Sequence, residues 1–489
     1  MTPKNVFAGL EPAALWAHFS RVTEIPRPSG QESAIAEWLA NWASTQGFSS
    51  RRDTARNICV YVPASLDSPA SRTVALQAHL DMVCVRTDDS TSDPTMGRIE
   101  ILREGDWILA PDSTLGADNG IGIAAAMCVA ENKVTPHGPL ELLFTVEEET
   151  TFKGADELDP SLTQANVMLN LDSETAGELC IGCAGSTWTV LRWPAPTQPS
   201  PDGWLVADIA LFGLSGGHSA KDIHKNHLNA IKGMVWLVRK LAKDVPFRLC
   251  ALEGGDAFNA IPIRAHATIS FPPTEAHSLE AALADAHSRL ASRFSLTDPG
   301  LSLATSNIDL QGIKCWSDES RDRLLDLLTA VPSGVVAMEQ HAPHIVETSN
   351  NLGIVALRDG VVEVHCLSRS SVADAQEEIV ASIESATRLA GAEFAIVSPV
   401  IDPWRVSSDS ALLAVVQATY QDLFHREPTL ATVHGGVECG TIQQRIPGLD
   451  VLSLGPEIHN AHRPGERVNI SSVAEFYALL CEVIRRLAA

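Results

Sequence analysis

At 489 residues the chain exceeds one ordinary core, since domains usually run to roughly 100–200 residues, so two or more are expected. Its 45% hydrophobic and 20% charged residues exclude a disordered or fibrous chain. The formal charge of −24, from 36 basic against 60 acidic residues, repels polyphosphate and anionic lipid and argues against nucleic-acid or membrane-surface partners.

The amino-terminal stretch MTPKNVFAGLEPAALW has no basic segment followed by an apolar run and a small-residue cleavage site. No window approaches ~18 uninterrupted apolar residues, so a cytoplasmic protein is expected. A helix follows, with Ile35, Trp38, Leu39 and Trp42 on one face, and then strand-like apolar runs at 56–62, 73–80, 140–146 and 167–171. Strands alternating with helices predict an α/β domain, and strands apolar on both faces predict a mixed, largely parallel central sheet flanked by helices. VLSL at 451–454 and a helix striped by Val473, Phe476, Leu480 and Ile484 resume this style at the carboxyl end.

Pro-rich stretches at 193–203 and around Pro399 and Pro403 read as linkers bracketing an inserted α+β domain. The expected division is 1–195 and 399–489 for the two parts of one domain, and 196–398 for the insert. The insert opens with the alternating run LVADIALF and continues into a helix carrying Leu228, Ile231, Met234, Val235, Val238 and Leu241. Its length suits one large sheet-and-helix layer or two similar small units, and no internal repeat is evident. The ten cysteines, Cys59, Cys84, Cys128, Cys250 and Cys481 among them, are scattered mostly through apolar segments, so reduced, buried thiols are expected. Cys180-Ile-Gly-Cys183 has redox or zinc spacing but no second pair, and is read as incidental.

Chemistry gathers where apolar strands stop. Leu76-Gln-Ala-His79-Leu-Asp81 runs a strand into a His-x-Asp pair at its carboxyl end, the usual place for sites in α/β sheets, with both side chains on one face. A carboxylate there can fix the tautomer of a metal-bound imidazole. Ser113-Thr-Leu-Gly-Ala-Asp118-Asn-Gly-Ile-Gly is a small-residue loop delivering one carboxylate before a helix starting near Ile121. Its glycines fit a dinucleotide-binding pattern, but no strand precedes them. Leu142-Leu-Phe-Thr-Val-Glu147-Glu148-Glu149 ends a buried strand in three acids, which are costly beside a core unless a cation neutralises them. Val167-Met-Leu-Asn-Leu-Asp172 repeats the pattern, and Gly455-Pro-Glu-Ile-His-Asn-Ala-His462 adds a loop with two imidazoles. Together these describe a metal site. Imidazole and carboxylate ligands suit zinc, and also manganese or cobalt, and the lack of a cysteine cluster points to a catalytic ion.

These motifs resemble the zinc-dependent peptidase family that includes aminoacylases, glutamate carboxypeptidases and dipeptidases, through HLD, the GADNG loop, the EE pair and NLDSE. Ile25-Pro-Arg-Pro-Ser-Gly, Gly213-Leu-Ser-Gly-Gly-His-Ser219, Asn259-Ala-Ile-Pro262 and His462-Arg-Pro-Gly-Glu-Arg-Val are similar to the aminoacyl-histidine dipeptidase branch, over nearly the whole chain. The resemblance implies two zinc ions per subunit bridged by Asp118, with Glu149 and His462 completing one and His79 and Asp172 the other. It also implies support of His79 by Asp81 and a cis peptide at Asp118-Asn119. Counting back from Gly154-Ala155 selects Glu148, not Glu147, as general base. His218 in GGHS is then an oxyanion-stabilising group on a lid and dimerisation domain, which makes a homodimer part of the expectation. Asn259, Arg369 and Gly435 match substrate-binding positions, a guanidinium suiting a terminal carboxylate. Gly213-Leu-Ser215-Gly-Gly217 also fits a serine-hydrolase elbow, but lacks the strand-turn-helix context. The implied function is hydrolysis of short peptides, chiefly dipeptides including Xaa-His. The rivals are an amidohydrolase acting on N-acyl or N-carbamoyl amino acids and a catalytically silent homologue. Two departures, Glu149-Thr-Thr-Phe in place of EEAG and His462-Arg-Pro-Gly-Glu in place of His-Ser-Pro-Asp-Glu, leave the ligands intact and bear on the substrate pocket.

Overall fold

A computed structural model describes residues 6–65, 72–132, 135–194, 196–308, 313–340, 345–407 and 409–488. The chain forms two compact units, one of Met1–Gly182, Arg405–Val433 and Val437–Ala489, the other of Cys183–Trp404 with His434–Gly436.

In the first unit the apolar runs become the strands Ile58–Val62, Val74–His79, Leu140–Thr145, Val167–Asn170 and Asp450–Ser453. The sheet order is Ser49–Arg52, Ile58–Val62, Leu140–Thr145, Val74–His79, Val167–Asn170, Asp450–Ser453, Glu178–Cys183. The three inner pairings, from Leu140–Thr145 through Asp450–Ser453, are parallel, and those outside them are antiparallel. Every residue of Val74–His79 and Leu140–Thr145 is buried, which is why these segments carry no alternation: parallel strands are covered on both faces. The helix Ala117–Glu131 packs on Val74–His79 and is buried from Ala117 to Ala130, and Ala13–Val22 packs on it in turn. Each fully buried Leu, Ile or Phe contributes ~1.5–3 kcal/mol. The helix Ile470–Leu487 starts at Asn469, whose side chain accepts the Ser472 N–H at 2.9 Å, and it buries the stripe Val473, Phe476, Leu480 and Ile484.

Because four adjacent strands run the same way, their carboxyl ends share one edge. A small antiparallel sheet of Leu102–Glu104, Trp107–Leu109, Arg467–Asn469 and Ile458–His459 holds both ends of the loop containing His462.

The main sheet of the second unit is antiparallel, in the order Ser302–Ile308, Leu205–Phe212, Ala265–Phe271, Arg248–Gly254, Val346–Arg358, Val361–Ser370, Gly185–Pro194, Glu393–Ile401, so the insert is built on a single large layer, with two short two-stranded sheets beside it. Helices Ala230–Asp244, Ala276–Arg293, Asp318–Ala330 and Ala373–Leu389 bury Met234, Leu237, Leu283, Leu324 and Ile383 in its core. The unit boundaries differ from those expected at 195/196 and 398/399. Gly185–Pro194 pairs with Val361–Ser370 and Glu393–Ile401, so this strand, placed by its position before the Pro-rich stretch with the first unit, belongs to the second. Residue 195 itself lies outside the described residues.

One expectation for the cysteines is corrected. Cys250 and Cys315, 65 residues apart in sequence, form a disulfide, their Cα atoms 3.9 Å apart where Arg248–Gly254 lies beside Lys314–Trp316. The other eight form no disulfide among the described residues.

Candidate metal centre

The shared strand edge of the first unit collects the titratable residues. His79 is the last residue of its strand and 1% exposed. Its Nε2 lies 3.0 Å from Asp118 Oδ1 and 3.2 Å from Asp172 Oδ1. His462 Nε2 lies 3.1 Å from the other oxygen of Asp118 and 2.8 Å from Glu149 Oε2. Asp118 therefore faces one imidazole with each of its oxygens. Three overlapping groups, His79/Glu148/Glu149, His79/Asp118/Asp172 and Asp118/Glu149/His462, each bring their donor atoms within 4.8 Å of one another.

Local structure explains each placement. Asp118 and Asn119 have non-helical backbone angles at the start of the helix Ala117–Glu131, and the peptide between them is cis. Asn119 Nδ2 donates to the Leu171 carbonyl at 3.0 Å and to Asp172 Oδ1, fixing that carboxylate. Glu147, at φ 54°, turns its side chain away to Arg56 at 3.1 Å and Lys153 at 3.6 Å, which leaves Glu148 and Glu149 on the His79 side. Asp81 holds that turn, accepting the N–H of Glu148 at 3.0 Å and of Glu149 at 3.1 Å, and the Ser29 hydroxyl at 2.7 Å. The closer acceptor for His79 Nδ1 is the Asp81 backbone carbonyl at 3.1 Å, with the carboxylate at 3.5 Å.

The electrostatics call for a cation. Burial pushes the carboxyls of Glu148, Glu149 and Asp172 upward, and each is pushed further by a neighbouring acid. Burial also opposes charge on His79 and His462, but the surrounding carboxylates outweigh it and raise both, His462 to about 11. Burial likewise opposes charge on Asp118, which hydrogen bonds from His462 and His79 nevertheless hold well below the usual carboxylate range. Glu149 Oε1 is buried with no partner. Four acids and two imidazoles offering oxygen and nitrogen donors at one edge fit divalent zinc, manganese or cobalt.

The remaining candidates are carried by the second unit. His218 lies in the short strand Gly217–His218, paired with Ala260–Ile261, and its Nδ1 accepts the Ala220 N–H at 3.2 Å. The Asn259 carbonyl accepts the Ser219 N–H at 2.9 Å, and Asn351 Nδ2 donates to the carbonyls on either side, Phe258 at 2.9 Å and Ala260 at 2.8 Å. Arg369, on Val361–Ser370, is 8% exposed, its Nε has no partner, and burial brings it down to about 10. Gly435 follows His434, whose Nε2 shares a 2.7 Å hydrogen bond with Ser349 Oγ.

Sequence reasoning assigned no role to three buried charges of the first unit. Glu438 Oε2 accepts from Gln77 Nε2 and Thr145 Oγ1, both at 2.7 Å, its Oε1 is unpartnered, and burial raises it to about 7. Arg27 is 0% exposed and Glu466 2%. The available signal was a charged residue inside each of IPRPSG, HGGVECG and HRPGERV, without a strand end to mark it.

Residues 75–486 match the peptidase family M20/M25/M40. The cytosol non-specific dipeptidase of Escherichia coli (strain K12) is 35% identical over 480 residues, covering 98% of this chain and 99% of that protein. The crystal structure of aminoacylhistidine dipeptidase from Vibrio alginolyticus superposes with a TM-score of 0.84 at 31% identity, over 98% of each chain. Aminopeptidase PepT from Bacillus cereus shares the fold, with a TM-score of 0.56 at 16% identity over 98% of this chain and 100% of its own.

Proposed function

The chain belongs to peptidase family M20/M25/M40 and is a peptide-bond hydrolase, and from that premise we propose that it cleaves dipeptides, Xaa-His among them, at a two-zinc centre with Glu148 as general base. The observation that carries this is the pair of Asp118 oxygens, one facing His79 and the other His462, with Glu148 beside His79. His79 and Asp172 would hold one ion, Glu149 and His462 the other, and Asp118 both, with manganese or cobalt as alternatives.

When bound, the ions supply carbonyl polarisation and a water of lowered pKa. The Glu148 carboxylate takes the proton of the attacking water and returns it to the leaving amine. Its buried surroundings favour the neutral acid, which suits the second of these tasks. Asp81 orients His79 and fixes the turn that carries Glu148. His218 is proposed to stabilise the oxyanion, and Asn259, Arg369 and Gly435 to bind the substrate backbone and terminal carboxylate. The second unit is then a lid and the interface of a homodimer.

The Escherichia coli relative is named as cytosolic, which supports a cytoplasmic location. Hydrolysis of a dipeptide panel including Gly-His and β-Ala-His, by zinc-loaded protein, chelated protein and Glu148→Ala, tests the reading. Metal-dependent cleavage lost in the variant supports it; cleavage confined to N-acetyl-amino acids overturns it in favour of an amidohydrolase.

A further inference from the structure

Two charged residues that make no donor group of the metal centre meet around the loop that delivers Asp118. Glu466 uses both oxygens on four consecutive backbone N–H groups: Oε2 accepts from Leu115 at 2.7 Å and Gly116 at 3.0 Å, and Oε1 from Ala117 at 2.8 Å and Asp118 at 3.3 Å. Arg27 approaches the same loop from the other side, its Nη2 donating to the Gly116 carbonyl at 2.5 Å. Its Nη1 donates to the carbonyls of Leu80 at 3.0 Å and Asp81 at 2.7 Å, the two residues after His79. The Arg27 carbonyl accepts the Met82 N–H at 3.0 Å, and Pro28 bridges Met82. Gly116 is gripped through both its N–H and its carbonyl. It sits at φ +71°, and a Cβ there would come within 2.5 Å of Arg27 Nη2 and 2.8 Å of Met82 Sδ, so only glycine fits between the guanidinium and the loop.

We propose that Arg27 and Glu466 are positioning residues of the metal centre, which together clamp residues 79–82 to the 115–118 loop and so set His79 and Asp118 at their mutual distance before an ion binds. This rests on the two-zinc reading of the site. A buried guanidinium reaching three carbonyls and a buried carboxylate reaching four N–H groups are charge-assisted contacts with planar, forked geometry. A point charge or a neutral amide cannot reproduce them. Lysine at 27 would present one nitrogen to carbonyls in two different segments. Glutamine at 466 would turn an NH₂ group toward N–H donors on one side. Neither residue has another evident task, since neither faces solvent and neither belongs to the donor groups.

The test is zinc affinity of the full-length chain, measured by chelator competition on wild type, Glu466→Gln, Arg27→Lys and the double variant. Circular dichroism of the metal-free proteins reports folding, and kcat and KM on a dipeptide are read at saturating zinc. Each folded single variant is expected to bind zinc about tenfold to a hundredfold more weakly, the range found when groups supporting a metal ligand are removed. The double variant should lose much less than the product of the two, because both act through one loop. At saturating zinc kcat should fall with KM little changed. A folded single variant with wild-type affinity overturns the proposal, as does strict multiplicativity of the two losses. If Glu466→Gln fails to fold, Arg27→Lys decides alone, because it keeps the buried positive charge. Failure of the underlying reading would look different, since wild type itself would then take up no zinc.

Discussion

Asp81 Oδ1 accepts the backbone N–H of Glu148 at 3.0 Å, so the residue that steadies His79 also sets the position of the proposed base. Asp81→Asn would put an NH₂ group against one of the two N–H donors, Glu148 or Glu149, that the carboxylate now satisfies. An unsatisfied buried group costs about 1–3 kcal/mol. Hydrolysis and zinc affinity are both expected to fall, by roughly 10–100-fold each. Steady-state rates together with metal content after dialysis check this, and an effect on one quantity alone would show that Asp81 serves only one of its two neighbours.

Glu148→Gln keeps size and shape while removing the proton acceptor. The expected loss in kcat is roughly 10²–10⁴-fold, with bound zinc unchanged. Metal analysis of the purified variant separates this outcome from loss of a ligand, for which both numbers would drop.

Stripping the metal leaves Asp118, Glu148, Glu149 and Asp172 crowded without a counter-charge. The chelated protein is expected to melt earlier than the loaded one. Zinc at a hundredfold over its Kd would restore about 2.7 kcal/mol per independent site, because an ion that binds only the folded chain stabilises it by mass action. Melting curves across a zinc titration would show a midpoint that climbs with concentration; a flat midpoint would argue that the cluster holds no ion.

Arg369 is almost wholly buried and its Nε is unpaired, a costly state for a guanidinium that forms no ion pair among the described residues. Arg369→Met is therefore expected to leave the thermal midpoint unchanged or raised, while KM for dipeptides rises ~10–100-fold through loss of a charge-assisted contact. A fall in stability with KM intact would make Arg369 a framework residue.

His434 is held down to about 4 by burial first and then by the charge of Arg369, with His224 adding to it. Its unfolded value is about 6.5, so between these limits the unfolded chain binds the proton that the folded chain rejects. The contribution of His434 to stability is therefore complete above about pH 6.5 and is lost as pH falls toward 4. The difference in thermal midpoint between wild type and His434→Gln should shift in favour of the variant across that window and stay level from pH 7 to 9. A difference independent of pH would show that the imidazole titrates as if exposed.

The first unit was legible because parallel strands, covered on both faces, write themselves as unbroken apolar runs. The polar residue that ends each run, as at His79 and Asp172, therefore stands out. The same logic found the run Glu147-Glu148-Glu149, and counting back from Gly154-Ala155 singled out Glu148 and Glu149; the left-handed backbone at Glu147, which carries its side chain to Arg56, is visible only in the fold. Arg27, Glu438 and Glu466 were invisible as a group for a different reason. Their partners are backbone atoms or side chains far along the chain, Gln77 for Glu438 and the 115–118 loop for Glu466, and such contacts leave no spacing rule. The pairing of Cys250 with Cys315 and the assignment of Gly185–Pro194 to the second unit depend likewise on which segments lie side by side.

The strand Asp450–Ser453 lies between Val167–Asn170 and Glu178–Cys183, and His462 follows it, so the sheet of the first unit is completed by residues that come after all those of the second unit in sequence. In the order of synthesis the residues of the second unit precede Asp450–Ser453, so until that strand is made the sheet that gathers His79, Asp118, Glu149 and Asp172 lacks one strand and His462. Capture of the proposed ions would thereby wait on residues 450–462. A nascent chain halted before residue 450 would hold four of the five expected ligands and still lack both the strand that closes the edge and the imidazole that faces the second oxygen of Asp118.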